Sequence, residues 1–203
     1  NYHFEKAQTI VSFGADFIGD WQGGFEKGYA ASRNPASGHM SYLVQFEANM
    51  SLTGANADKR VVTKPSDQVF ALLNLYNTIT GANLPSKATP VDAHIKEVAV
   101  ALNKSGSHGV VVSGSSDKNA QLIAFAINDA LQSVVFDAAN PLHIRKGNDT
   151  ELAQVVADMK AGKVKGLLTY NVDPVYNLSV GTEFAEATKK LDLSVAMSIQ
   201  NDA

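Results

Sequence analysis

The residues of this chain that could carry chemistry are few and scattered. Five histidines, His3, His39, His94, His108 and His143, lie too far apart for an HxH or HExxH ligand pair, and there is no cysteine. Zinc, iron–sulfur and thiol chemistry have no support within this segment. His94 falls beside Val91 and Val98 on the apolar side of a helical pattern, where an imidazole serves as a partly buried structural side chain. The densest polar run is Ser113-Gly114-Ser115-Ser116-Asp117, directly after Val110-Val111-Val112. A strand-to-helix turn aims backbone N–H groups and a helix N-terminus at one point, which suits an anion such as phosphate. A simpler alternative is that Ser116 or Asp117 caps the following helix. A nucleophile elbow would need G-x-S-x-G, and Asp117 stands at the second glycine position. No Walker sequence is present and no G-x-G-x-x-G follows a strand, so nucleotide hydrolysis and dinucleotide binding lack their usual motifs. Asp16 and Asp173 occupy two other strand exits. A carboxylate there either meets a ribose or guanine edge or caps its own turn.

These residues need elements to position them. Three β-branched residues predict a buried strand over 109–113, and the amphipathic run from Lys118 to Leu131 predicts the helix behind it. Gln8 to Phe13 and Ser41 to Glu47 read as strands, Val61 to Thr63 as a short one, and Ser51 to Asp58 as a turn-rich loop. Trp21 to Ala31 reads as a short helix or irregular chain, weakened by Gly23, Gly24 and Gly28. A helix follows Pro65, capped by Ser66 or Asp67, with Val69, Phe70, Leu72, Leu73, Tyr76 and Ile79 buried and Gly81 as its stop. Thr89-Pro90 starts another, with Val91, Ile95, Val98 and Leu102 at helical spacing. Val134 to Phe136 predicts a short strand. A helix from Asn148 bears Leu152, Val155, Val156 and Met159, and Lys165 to Tyr170 predicts a strand. Thr182 caps a helix carrying Phe184, Ala187 and Leu191 with a Glu186–Lys190 pair, and Leu193 to Ile199 closes as a strand. The fold class expected is α/β, a parallel-sheet Rossmann-like three-layer arrangement. Two segments are expected, 1–88 and 89–203, the second alternating helix and strand.

The 203 residues suffice for a substantial core, and 45% hydrophobic against 18% charged residues is a globular balance. A net charge of −3 leaves no electrostatic footprint for nucleic acid and no polybasic membrane patch. No apolar run approaches the roughly 18 residues of a membrane span, so direct membrane insertion is not expected. The chain starts at Asn1 without an initiator methionine or signal peptide and stops just after a strand-like run, which reads as a piece of a longer protein.

One stretch resembles a known signature. Leu52-Thr53-Gly54-Ala55-Asn56-Ala57-Asp58-Lys59-Arg60-Val61-Val62-Thr63-Lys64-Pro65-Ser66-Asp67, followed by Ala71 and Leu72, is similar to the A-D-x-W-L-P-I-R-P-G-T-D-x-A-L pattern of the molybdopterin oxidoreductase superfamily, the formate dehydrogenase/DMSO reductase-like domains. Ala57-Asp58 and Pro65 match in place. Ser66 replaces the glycine, the threonine has no counterpart, and the spacing is one residue shorter. Ile10 to Asp16 and Leu167 to Pro174 resemble two strands of that family ending in G-x-N-P. In the first, Gly14 is kept while Asp16 and Phe17 replace asparagine and proline; in the second, Asn171 and Asp173 replace glycine and asparagine and Pro174 is kept.

Those departures put side chains and carboxylates where a cofactor pyrophosphate would lie. Ser12 to Phe17, Met50 to Asp58 and Val111 to Asn119 look like one branch of the family, the iron–sulfur subunit of alternative complex III, whose molybdopterin-like domain carries no molybdenum cofactor. The resemblance implies a non-catalytic structural domain of a quinol-oxidising respiratory complex, touching other subunits on the periplasmic side of the bacterial inner membrane. Iron–sulfur clusters would be held elsewhere in the parent. The second reading is a piece of an active molybdopterin oxidoreductase, its cofactor pocket formed by Gly14, Asp16, Asp67, Gly114, Ser115 and Asp173. The third is a binding domain for a small anion at Ser113 to Asp117.

Overall fold

The structure is a computed structural model that describes residues 1–38, 40–142, 144 and 147–199. His39 and His143 lie outside the described residues. The chain forms two compact units, Asn1–Ile144 and Arg145–Ala203. The first holds a four-stranded sheet of β1 (Thr9–Phe13), β2 (Tyr42–Glu47), β3 (Lys59–Val62) and β4 (Gly109–Ser113) in the order β3-β2-β1-β4, all parallel. β4 hydrogen-bonds directly to β1, so residues on both sides of position 88 share one sheet.

Every residue of β1 and β4 is buried, as parallel strands covered on both faces require. Alternate side chains feed two cores. Val11, Phe13, Val44, Phe46 and Val111 meet α3 (Pro65–Thr80), α4 (Asp92–Ser105) and α5 (Lys118–Ala130) on one face. Ile10, Leu43, Val110 and Val112 meet Phe4, Phe17 and Tyr29 of α1 (Phe25–Ser32) on the other. Helices, sheet and a second helical layer make a Rossmann-like three-layer α/β unit, as the sequence predicts.

Local chemistry shifts several boundaries. Ser51 accepts a hydrogen bond from Gly54 N–H, so the turn-rich stretch winds into a single helical turn, α2 (Leu52–Ala55). α3 has Lys64 at its N-cap and Pro65 in its first turn, which leaves Ser66 and Asp67 inside the helix rather than capping it. α4 starts after Val91, and Thr89 serves it at one remove by donating its hydroxyl to Asp92 Oδ1 at 2.6 Å. Val134 to Phe136 forms no strand of the sheet; Phe136 makes one antiparallel bridge to Tyr2.

The reason lies at the outer edge of β4. Asn128 of α5, fully buried, accepts from Val111 N–H at 2.7 Å and donates to Val111 C=O at 2.8 Å. Ser133 donates to Gly109 C=O at 2.6 Å and Gln121 to Ser113 C=O at 2.9 Å. Side chains thereby take the hydrogen-bonding positions that a further strand would use, and the sheet ends at β4.

In the second unit, β5 (Gly166–Tyr170) and β6 (Leu193–Met197) run parallel. α6 (Asp149–Lys160) and α8 (Gly181–Thr188) pack Val156, Met159, Phe184 and Ala187 together with Leu167. Leu152 and Val155 of α6 are exposed. Asn148 caps α6 as predicted, whereas Thr182 lies within α8 after Val180. Glu186 pairs with Lys189 instead of Lys190, whose ammonium donates to Lys160 C=O. α7 (Pro174–Asn177) is a single turn after β5.

Candidate functional site

In a doubly wound sheet the strand order reverses at one place, and ligands sit outside the carboxyl ends of the strands there. With the order β3-β2-β1-β4 that place lies between β1 and β4. A crevice of about 580 Å³ opens at these ends, lined by Gly14, Asp16, Glu47, Gln68, Gly114 and Ser115 among others. Four of the predicted residues, Gly14, Asp16, Gly114 and Ser115, are thus brought together. Asp67 lies in the first turn of α3 and is not among the lining residues, and Asp173 belongs to the other unit.

Each of the four has a structural task. Gly14 has a left-handed backbone, φ 67°, and its N–H reaches Phe46 C=O at 2.8 Å. Gly114 lies so close to the neighbouring exit that a Cβ on it would stand 2.2 Å from the carbonyl oxygen of Gly14. Asp16 Oδ1 accepts from Thr53 N–H at 2.8 Å, Thr53 hydroxyl at 2.7 Å and Gly19 N–H at 3.2 Å. Burial would push this carboxyl up, but those hydrogen bonds, led by the Thr53 hydroxyl, outweigh it and hold it below the ordinary aspartate range.

Several N–H groups of the Ser113 to Asp117 turn are already engaged within the fold. Gly114 N–H goes to Phe13 C=O, Ser115 N–H to Ser113 Oγ, Asp117 N–H to Ser115 Oγ, and Asn119 N–H to Asp117 Oδ1. Asp117 is the N-cap of α5, the simpler of the two readings of this turn. Gln121 adds a bond to Ser115 C=O at 2.6 Å.

Sequence reasoning missed Glu47, Thr53 and Gln68. Glu47 ends the alternating pattern of β2 at the level where β1 gives way to Gly14, and that position was its only signal. It is buried, accepting from Ser51 hydroxyl at 2.6 Å, Arg60 Nε at 2.5 Å and Gln45 Nε2 at 3.2 Å. The carbonyl Oε1 of Gln45 meets no donor among the described residues. Gln68 places its side-chain oxygen 2.9 Å from where a Cβ of Gly14 would be.

Glu47 gives the crevice a pH dependence. Burial raises its carboxyl, yet the bonds from Ser51, Arg60 and Gln45 dominate and lower it from the usual 4.5. Its contribution is complete above that ordinary value and is lost as pH falls through the lowered one. Glu47→Gln is expected to cost about 2 kcal/mol at pH 7, with the difference from wild type shrinking in acid; urea unfolding at pH 7 and pH 3 measures both.

Among the described residues, the crevice lining contains Asp16, Asp20 and Glu47 and no lysine or arginine. Arg60 is turned onto Glu47. Three carboxylates, with no lysine or arginine among the described lining residues, do not favour a pyrophosphate, which needs donors and positive charge. Among the described residues, no group of three or more His, Cys, Asp or Glu side chains could hold a metal ion. In the second unit, Asn171, Asp173, Tyr176 and Ile199 line a smaller space of about 470 Å³ at the ends of β5 and β6. Asp173 there caps α7 by accepting from Tyr176 N–H at 3.0 Å.

No protein-family model matches the chain, and no curated protein matches it. Among the described residues no helix is long and apolar enough to cross a membrane.

Proposed function

We propose that this chain is a non-catalytic structural domain of a respiratory quinol-oxidising electron-transfer subunit, of the molybdopterin oxidoreductase type and without a molybdenum cofactor. The observation that carries this reading is the crevice between β1 and β4. It sits where an open α/β sheet binds its ligand, yet its described lining includes Asp16, Asp20 and Glu47 and no lysine or arginine, the nearby Arg60 being paired with Glu47. Repulsion between these carboxylates and a diphosphate opposes binding, while the packing of Gly14 against Gly114 keeps the fold.

On this reading the domain supplies shape and contact surface to other subunits of a membrane-bound complex on the periplasmic side of the bacterial inner membrane. Electrons pass through iron–sulfur clusters held by cysteines in another part of the parent, since this segment has none. The active-enzyme alternative differs in one measurable way. The parent protein, purified from its native host, is expected to contain iron but neither molybdenum nor a pterin by metal analysis and fluorescence of the released cofactor. Stoichiometric molybdenum with a pterin would overturn the proposal and establish the alternative.

A further inference from the structure

We draw no further inference here: the strongest candidate, the apolar outer face of the β5–β6 sheet formed by Leu168, Tyr170, Leu193, Val195 and Met197, is an unpartnered sheet face, and nothing in the structure shows what covers it.

Discussion

Gly114→Ala is expected to destabilise the first unit by about 3 kcal/mol or to prevent its folding, the larger outcome following if the strand exits do not yield. The added methyl group would stand 2.2 Å from Gly14 oxygen and 2.7 Å from the Cα of Ala15, both backbone atoms that cannot swing aside as a side-chain tip can. To make room, the exits of β1 and β4 must part, although Gly114 N–H is bonded to Phe13 C=O at 2.9 Å. Gly147→Ala is the control, because a Cβ there meets nothing within 4 Å. Urea unfolding of the two variants is expected to separate them by at least about 2 kcal/mol. Equal stabilities would show that the exits are loose and that Gly114 is spared for some other reason.

Asn128→Ala is expected to cost about 3 kcal/mol, by a different mechanism. The amide is fully buried and holds both the N–H and the C=O of Val111. Alanine leaves these two backbone groups without partners, away from water, and removes packing as well. Leu122→Ala, on the same helix but half exposed, is expected to change stability by less than about 0.5 kcal/mol. Amide exchange adds a local readout, since Val111 N–H loses its acceptor in Asn128→Ala and is expected to exchange faster relative to Val110. Unchanged protection at Val111 would mean that the side chain does not hold the strand edge.

The two residues mark where sequence reading succeeds and where it stops. The β-branched run Val110 to Val112 followed by small residues and a helical pattern specifies β4 and α5, because strand and helix periods are local signals. The glycine at 114 is visible as a turn residue, but its cause is not. Its neighbour is the carbonyl of a residue one hundred positions earlier, and only the parallel pairing of β1 with β4 brings them together. Asn128 shows the opposite case. A lone amide next to Ala124 and Ile127 on a buried helix face looks like a blemish in the pattern, and its role appears only once Val111 is placed beside it.

Val134 to Phe136 failed as a strand for the same reason. Its composition suits a strand, but the edge it would join is already occupied by Asn128, Ser133 and Gln121. Tertiary competition for hydrogen bonds, rather than propensity, decides such segments. The candidate site was legible in part. Gly14, Asp16, Gly114 and Ser115 follow from the rule that strand exits converge, whereas Asp67 was placed by motif position and lies outside the crevice lining, and Asp173 falls in the other unit. Glu47 and Gln68 carry no local mark of importance, since a glutamate at a strand end and a glutamine in a first helical turn are ordinary.

The account rests on the claim that the crevice at β1 and β4 is a structural corner lined by carboxylates, and that it does not bind a phosphate-bearing cofactor. Calorimetric titration of the 203-residue chain with GDP, which carries the diphosphate and purine of a dinucleotide cofactor, tests this directly, with amide shifts of Gly14, Gly114 and Ser115 followed in parallel. The predicted result is no saturable heat up to millimolar ligand, and no shift at those three amides. Saturable heat accompanied by shifts at Gly14, Gly114 and Ser115 would contradict it.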